Sequence, residues 1–388
     1  MFKLKKILTG SLTAIFVVGM MGASANAEVG VLDPSTLGSV LVLPWETDRV
    51  TQSKLTIGTI TNVSDEPITL HLVILDETWD ATNFDCPLTP SETTYFIFSF
   101  DDNRGTSRVE TECSRLGLAG PNPGLTSDPV TRTLRGDRGI MFVSVECQKG
   151  IDNCPGGTLG LRTRGINALL GDATIIDFGQ GYAYGVNAIH IQTGSGTNNE
   201  DRRYDFDGLE YAAFPSELAT TFISPSDTGI AAKLILFTLD GKVNDSQPIE
   251  FAVAGNAYDD DENPTEGSEI FDCYANVGIE EIFGLNVLRE ESGSVVGHLE
   301  LSVSEVAGQV DFNETDVSEG GTGDGDRNRR RPVHGWLVQF IAQGADDGDG
   351  GPLFLDSGAW GRTLVQGNSP LMPSGTDLPA LSAGPPVL

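Results

Sequence analysis

The residues with the clearest capacity for chemistry are carboxylates, and they recur at matching places in two parts of the chain. Asp76, Glu77, Asp80 and Asp85 lead into or lie within Phe84-Asp85-Cys86; Asp259, Asp260, Asp261, Glu262, Asn263, Glu266 and Glu269 lead into Phe271-Asp272-Cys273. Clustered carboxylates repel unless a cation or solvent screens them, and calcium accepts roughly six to eight oxygens in flexible geometry. Asp259-x-Asp261-x-Asn263 has the alternate spacing that opens a calcium loop. Pro264 stands where the turn wants glycine, and Ile270 where a bidentate Glu would close the loop, so the stretch is not an EF-hand. If calcium binds, the expected ligands are Asp259, Asp261, Asn263, Glu266 and Glu269, with Asp76, Glu77 and Asp80 as a second set. The plainer alternative is a solvated acidic loop.

Other chemistries find less to work with. His71, His190, His298 and His334 have no metal-ligand spacing between them, and His71 lies inside an apolar run that reads as core. No GxSxG elbow, phosphate loop or CxxC pair is present. Asp and Glu are abundant enough for a glycosidase pair, but nothing singles out two of them. Among Trp45, Trp79, Trp336 and Trp360, Trp79 is the candidate for stacking on a sugar, because Thr78 and Asp80 flank it in the first acidic loop. Trp336, in an apolar run, reads as core. Arg327, Arg329, Arg330 and Arg331 would suit an acidic partner, or equally a solvated loop.

Composition removes whole classes of function. Lys and Arg total 24 against 55 Asp and Glu, a formal charge of −31. Such a chain repels nucleic-acid phosphates and anionic membrane surfaces. Lys3, Lys5 and Lys6, the apolar stretch 7–23 and the small residues Ala25-Asn26-Ala27 read as a signal peptide cleaved after Ala27. The expected location is secreted, cell-surface or periplasmic. No later run approaches the ~18 apolar residues that span a bilayer, so no integral segment is expected after cleavage. Five cysteines in an exported chain point to disulfides. Cys147 with Cys154 and Cys86 with Cys113 would close short loops, which leaves Cys273 as a buried thiol or as one end of a longer bridge.

The elements that position these residues come in two copies. Lys54-Leu55 runs through the turn Val63-Ser64-Asp65-Glu66-Pro67-Ile68 to Phe84-Asp85-Cys86. Lys233-Leu234 runs through Val243-Asn244-Asp245-Ser246-Gln247-Pro248-Ile249 to Phe271-Asp272-Cys273. Upstream, Pro34-Ser35-Thr36-Leu37 answers Pro215-Ser216-Glu217-Leu218; downstream, Gly139–Val143 answers Gly335–Val338. A repeat of this length indicates a duplicated domain with loop insertions. Alternation in 55–61 and a dense apolar run in 69–75, joined by Asn, Ser, Asp and Pro, read as a hairpin. The run 279–288 is the candidate for one short helix.

The stretch Ile57 to Ile68 resembles the strand, Thr-Asn-x-Ser, turn, strand pattern of bacterial immunoglobulin-like sandwich modules. The resemblance implies a sandwich and carries no functional residues with it. The expected fold is all-β: two tandem antiparallel β-sandwich domains, Ig-like or jelly-roll-like, related by internal duplication. The expected boundaries are a signal peptide at 1–27, sandwiches at 28–195 and 213–367, a linker at 196–212 and an extended or disordered tail at 368–388. The expected function is an exported, non-catalytic structural or adhesion-type protein, with calcium as a candidate stabiliser and an extracellular ligand or a second copy as partner. Secreted carbohydrate binding and secreted hydrolysis are the alternatives.

Overall fold

The computed structural model describes residues 36–113, 130–146, 166–193, 204, 206, 211, 212, 214, 215, 217–223, 230–239, 250–258, 262, 264–284, 296–305, 333–341, 359–363 and 365–366. The expected signal peptide and tail, most of the expected linker, the arginine cluster, Cys147 and Cys154 lie outside them.

The described chain is almost entirely strand, arranged as four antiparallel sheets. In the N-terminal half one sheet runs β11 (Ile189–Ile191), β1 (Val40–Glu46), β8 (Arg138–Glu146), β3 (Ile68–Asp76), β4 (Ala81–Leu88). The other runs β10 (Tyr182–Asn187), β9 (Leu169–Asp177), β2 (Lys54–Asn62), β5 (Thr93–Asp101), β6 (Thr106–Thr111), β7 (Val130–Leu134). In the C-terminal half one sheet runs β20 (Val365–Gln366), β12 (Glu217–Ile223), β17 (Val296–Glu305), β14 (Glu250–Tyr258), β15 (Pro264–Asp272). The last runs β19 (Ala359–Thr363), β18 (Val333–Ile341), β13 (Ile230–Thr238), β16 (Tyr274–Gly278). The short helix α1 (Ile279–Phe283) ends at Gly284, whose positive φ of 85° suits glycine.

Local sequence explains the central strands. Every residue of β1 and of β3 is buried, whereas β2 alternates between buried and half-buried positions. Buried-on-both-faces and one-face-covered strands give these two patterns. Trp45 of β1 stacks on Phe98 of β5, with centroids 5.3 Å apart, so the two N-terminal layers share one core. Cys86 on β4 and Cys113, just past β6, form a disulfide that ties the same two layers.

The structure corrects two expectations. First, β2 and β3 are not a hairpin: they belong to different sheets. The Asn62 side chain accepts from Ser64 N at 3.0 Å and donates to Glu66 O at 2.8 Å and Thr89 O at 3.0 Å, fixing a corner between layers. Second, Gly335 is not the counterpart of Gly139. The sheet orders superimpose when β11, β1, β8, β3, β4 are matched to β20, β12, β17, β14, β15, and β10, β9, β2, β5 to β19, β18, β13, β16. In that matching of strand orders Gly335 on β18 falls with β9, and Gly139 on β8 falls with Gly297 on β17. A Cβ on Gly139 would stand 2.0 Å from Leu75 O, and one on Gly297 would stand 2.3 Å from Tyr258 O. In this matching β6 and β7 have no counterpart among the described residues.

β13 faces two ways. Leu234 and Leu236 enter the C-terminal core, while Ile235 and Phe237, with Trp336 and Val338 of β18, join the N-terminal cluster. Trp336 also donates its indole N–H to Asn187 O of β10 at 2.9 Å. The two halves therefore share apolar packing through this sheet.

Candidate functional site: a buried charge cluster where the halves meet

Lys233 is on the β13 face that carries Ile235 and Phe237, because strand side chains alternate. That face points at the end of β1, where Glu46 is 3% exposed. Lys233 Nζ lies 2.6 Å from Glu46 Oε1. Lys54, opening β2, lies 3.0 Å from Glu46 Oε2 and 3.8 Å from Asp177 Oδ2. Two lysines, one from each half of the chain, thus converge on one carboxylate. Asn276 Nδ2 donates to Glu46 Oε1 at 3.0 Å and Tyr184 OH donates at 3.1 Å. Thr56 Oγ1 accepts from Glu46 N and donates to Glu46 O, both at 2.8 Å. Lys233 also sits over the Tyr184 ring, 5.6 Å from its centroid.

The electrostatics follow from one anion serving two cations. Burial pushes the Glu46 carboxyl up, but Lys233 and Lys54 outweigh it and hold the group well below the usual range. Burial lowers Lys54, and Glu46 more than offsets this, so its ammonium is favoured. Lys233 ends below its ordinary value, because burial, helped by the like charge of Lys54, exceeds the attraction of Glu46. Burial and Glu46 raise the Tyr184 hydroxyl well above normal, so it serves as a donor.

Beside the cluster opens a cavity of about 340 Å³, lined by Glu46, Lys54, Glu77, Arg138, Lys233 and Asn276 together with Thr47, Asp48 and Asp137. Its remaining carboxylates are engaged. Asp48 caps Val50 N and Thr51 N at 2.7 and 3.0 Å, and Asp137 pairs with Arg49 and accepts from Ser107 Oγ at 3.1 Å. Glu77 accepts from the backbone N–H groups of Asp137 and Arg138 at 3.2 and 3.0 Å.

The sequence-derived candidates among the described residues take separate partners. Asp76 is buried and its Oδ1 accepts from Thr78 N, Thr78 Oγ1 and Asp80 N at 2.9, 2.7 and 2.9 Å, closing its own turn. Glu77 turns to the cavity, and Asp80 pairs with Arg135 at 2.8 Å. These three carboxylates therefore diverge. Asp85 meets His71 Nδ1 at 2.8 Å. Glu266 and Glu269 are not on a loop but on β15, an odd number of residues apart, so their side chains take opposite faces. Asp259, Asp261 and Asn263 lie outside the described residues. Trp79 is 3% exposed and belongs to the N-terminal core. Cys86 and Cys113 are joined as expected, and Cys273 is buried at the corner between β15 and β16 with φ 55°. Among the described residues no helix is long and apolar enough to cross a membrane.

The sequence reading missed Glu46, Lys233 and Asn276. The available signal was a lysine set against an apolar run, Lys54 before Leu55 and Lys233 within Ile230–Thr238, where a charge needs a partner.

No family model matches the chain, and no curated protein matches it. Among solved structures it is similar to the PBSX exported protein XepA, at 13% identity over 70% of this chain and 84% of that chain. The TM-score of 0.12 carries no argument about fold or function.

Proposed function

We propose that the chain is an exported, non-catalytic structural or adhesion-type protein of two tandem β-sandwiches related by duplication. The observation that carries this reading is the joint: a hydrogen-bonded Glu46–Lys54–Lys233 cluster set beside shared apolar packing. A joint of that kind favours a rigid unit over two tethered modules, since small polar domain interfaces permit relative motion and larger apolar ones resist it. Hydrolysis gains little support, because each carboxylate around the cavity is held by a cation, a hydroxyl or backbone N–H groups. The disulfide and the strongly acidic composition fit an extracytoplasmic setting.

The test is to express the tagged chain in bacteria, sequence the mature N-terminus and treat intact cells with protease. A chain beginning at Glu28 and accessible outside the inner membrane is expected. A chain retained in the cytoplasm with residues 1–27 intact would overturn the export half of the proposal. Turnover of glycoside or ester substrates lost in a Glu46→Gln variant would overturn the non-catalytic half.

A further inference from the structure

Two sheets turn one face to solvent, and the two faces differ in chemistry. Along β12, β17, β14 and β15 the side chains that alternate with the buried core residues include Glu217, Glu250, Glu266, Asp272 and Glu300, and among the described residues no Lys or Arg. An acidic chain meets water in that way. The outer face of β10, β9, β2 and β5 is instead aliphatic at its centre. We propose that this second face is the contact between two copies of the chain.

Strand pairing gathers the apolar side chains. Leu55, Ile57, Thr59 and Thr61 alternate with the buried Thr56, Gly58, Ile60 and Asn62, so they point away from the core. Ile57 is opposite Ile97 on β5 and Thr174 on β9, and Leu55 is opposite Ile176; all five are half-buried. Thr59 is opposite Tyr95, and Thr61 is opposite Leu170, which is 47% exposed. Thr61 and Thr93 share a hydrogen bond of 2.9 Å, so these hydroxyls keep a partner when the face is covered. Two carboxylates lie on the face of these four strands, Asp172 and Asp101, and Asp101 is met by Arg108 at 3.6 Å. With 55 acidic residues in the chain, so few mark a depleted surface, and depletion of charge distinguishes interface cores from ordinary surface.

Size, shape and charge favour a second copy as the occupant. The six strands of this sheet, five to nine residues long, tile roughly 700 Å² at ~3.3 Å per residue and ~4.8 Å per strand. Each partner in a specific complex contributes about 800 Å². Flat aliphatic sheet faces pack on one another about 10 Å apart, which is how sandwich layers are built. Tyr95 is the one aromatic ring on the outer face of β10, β9, β2 and β5, too little for a platform on which sugars stack. A two-fold contact must be complementary to itself. An aliphatic face with little charge satisfies that condition, whereas the five-carboxylate face would repel its own copy across the axis.

The contact gives the structural reading above a partner and rests on it, yet the two fail separately. A strictly monomeric chain removes the contact and leaves the export and turnover readouts as they were.

Sedimentation velocity of the purified full chain, run from nanomolar to high micromolar concentration, tests the proposal together with hydroxyl-radical footprinting. The expected result is a reversible dimer in which Tyr95 and Leu170 lose reactivity as the dimer forms and Ile270, 56% exposed on the other face, does not. Ile57→Asp and Ile97→Lys should each abolish the dimer at micromolar concentration while circular dichroism keeps the strand signal. Ile270→Asp should change neither. A wild-type chain that stays monomeric throughout, a dimer whose footprint spares Tyr95 and Leu170, or a folded Ile57→Asp chain that still dimerises overturns the proposal. So does a monomer that binds cellulose or phosphatidylcholine vesicles through Tyr95 and Leu170. The wild-type footprint is decisive whether or not the variants fold.

Discussion

Lys233 Nζ lies 2.6 Å from Glu46 Oε1, joining residues 187 positions apart in the chain. An ion pair of that span, with both side chains mostly buried, makes the folding of one half depend on the other. Desolvating two charges costs several kcal/mol per ion, repaid only by close geometry and further hydrogen bonds, which Asn276 and Tyr184 provide.

Removing the shared anion should be the most damaging single change in the cluster. Glu46→Ala leaves two buried ammonium groups facing one another, and breaking a buried pair in this way costs about 3–5 kcal/mol. Replacing Glu46, Lys54 and Lys233 together by Met should recover most of that loss, since a buried ion cluster is often no more stable than an apolar one of similar volume. Denaturant midpoints of the two variants and the wild type check this. Equal losses would show that packing, not charge, is at stake.

Acid should unfold the chain in two stages. Burial lowers His334 from 6.5 to about 4, so the folded state binds its proton more weakly than the unfolded chain. Stability held by its neutral form is complete above pH 6.5 and is lost as pH falls towards 4, on the order of 3 kcal/mol. Glu46 is also depressed, so its contribution is present above the ordinary value of 4.5 and is lost only as pH falls further. His334→Asn keeps an acceptor for Gly335 N, which donates to His334 Nδ1 at 2.8 Å, while removing the titration. Its stability should be flat between pH 6.5 and 4.5 where the wild type declines.

The layer-spanning disulfide should be worth measuring by itself. Cys86 and Cys113 are separated by 27 residues, and closing a loop of that length stabilises by about 3–4 kcal/mol in the chain-entropy description. The Cys86→Ala/Cys113→Ala double variant should melt several degrees lower than the oxidised wild type, and adding reductant should shift the wild type by more than the variant.

Gly139→Ala and Gly297→Ala should each disrupt folding, because both new methyl groups would collide with a backbone carbonyl of the neighbouring strand. An alanine at Gly105, which has open space around it, meets only the penalty of its positive φ and should cost about 1–2 kcal/mol. Circular dichroism and melting curves separate the two outcomes.

The strands were legible because their signals are local. The apolar run of β3 and the alternation of β2 follow from which faces are covered. The partners of those strands were not legible. Asn62 and Pro67 mark a turn, but nothing in their chemistry says whether the chain turns back beside itself or crosses to another layer. Gly139 and Gly335 look alike in sequence for a related reason: both are crowded glycines before an apolar run, and only the strand order separates β8 from β18. The cluster was hidden because its parts are single residues from distant strands, whereas the acidic stretches drew attention by density. Within one of those stretches, Asp76, Glu77 and Asp80 each serve a different neighbour.

The two-sided β13 has one more consequence. Its even-numbered leucines and its odd-numbered Ile235 and Phe237 feed separate cores, so the strand cannot leave one without stripping the other. A peptide nick between the halves should therefore yield two fragments that remain clasped in solution. Under tension the chain should lack a hinge at its midpoint and transmit load through it as one continuous strut.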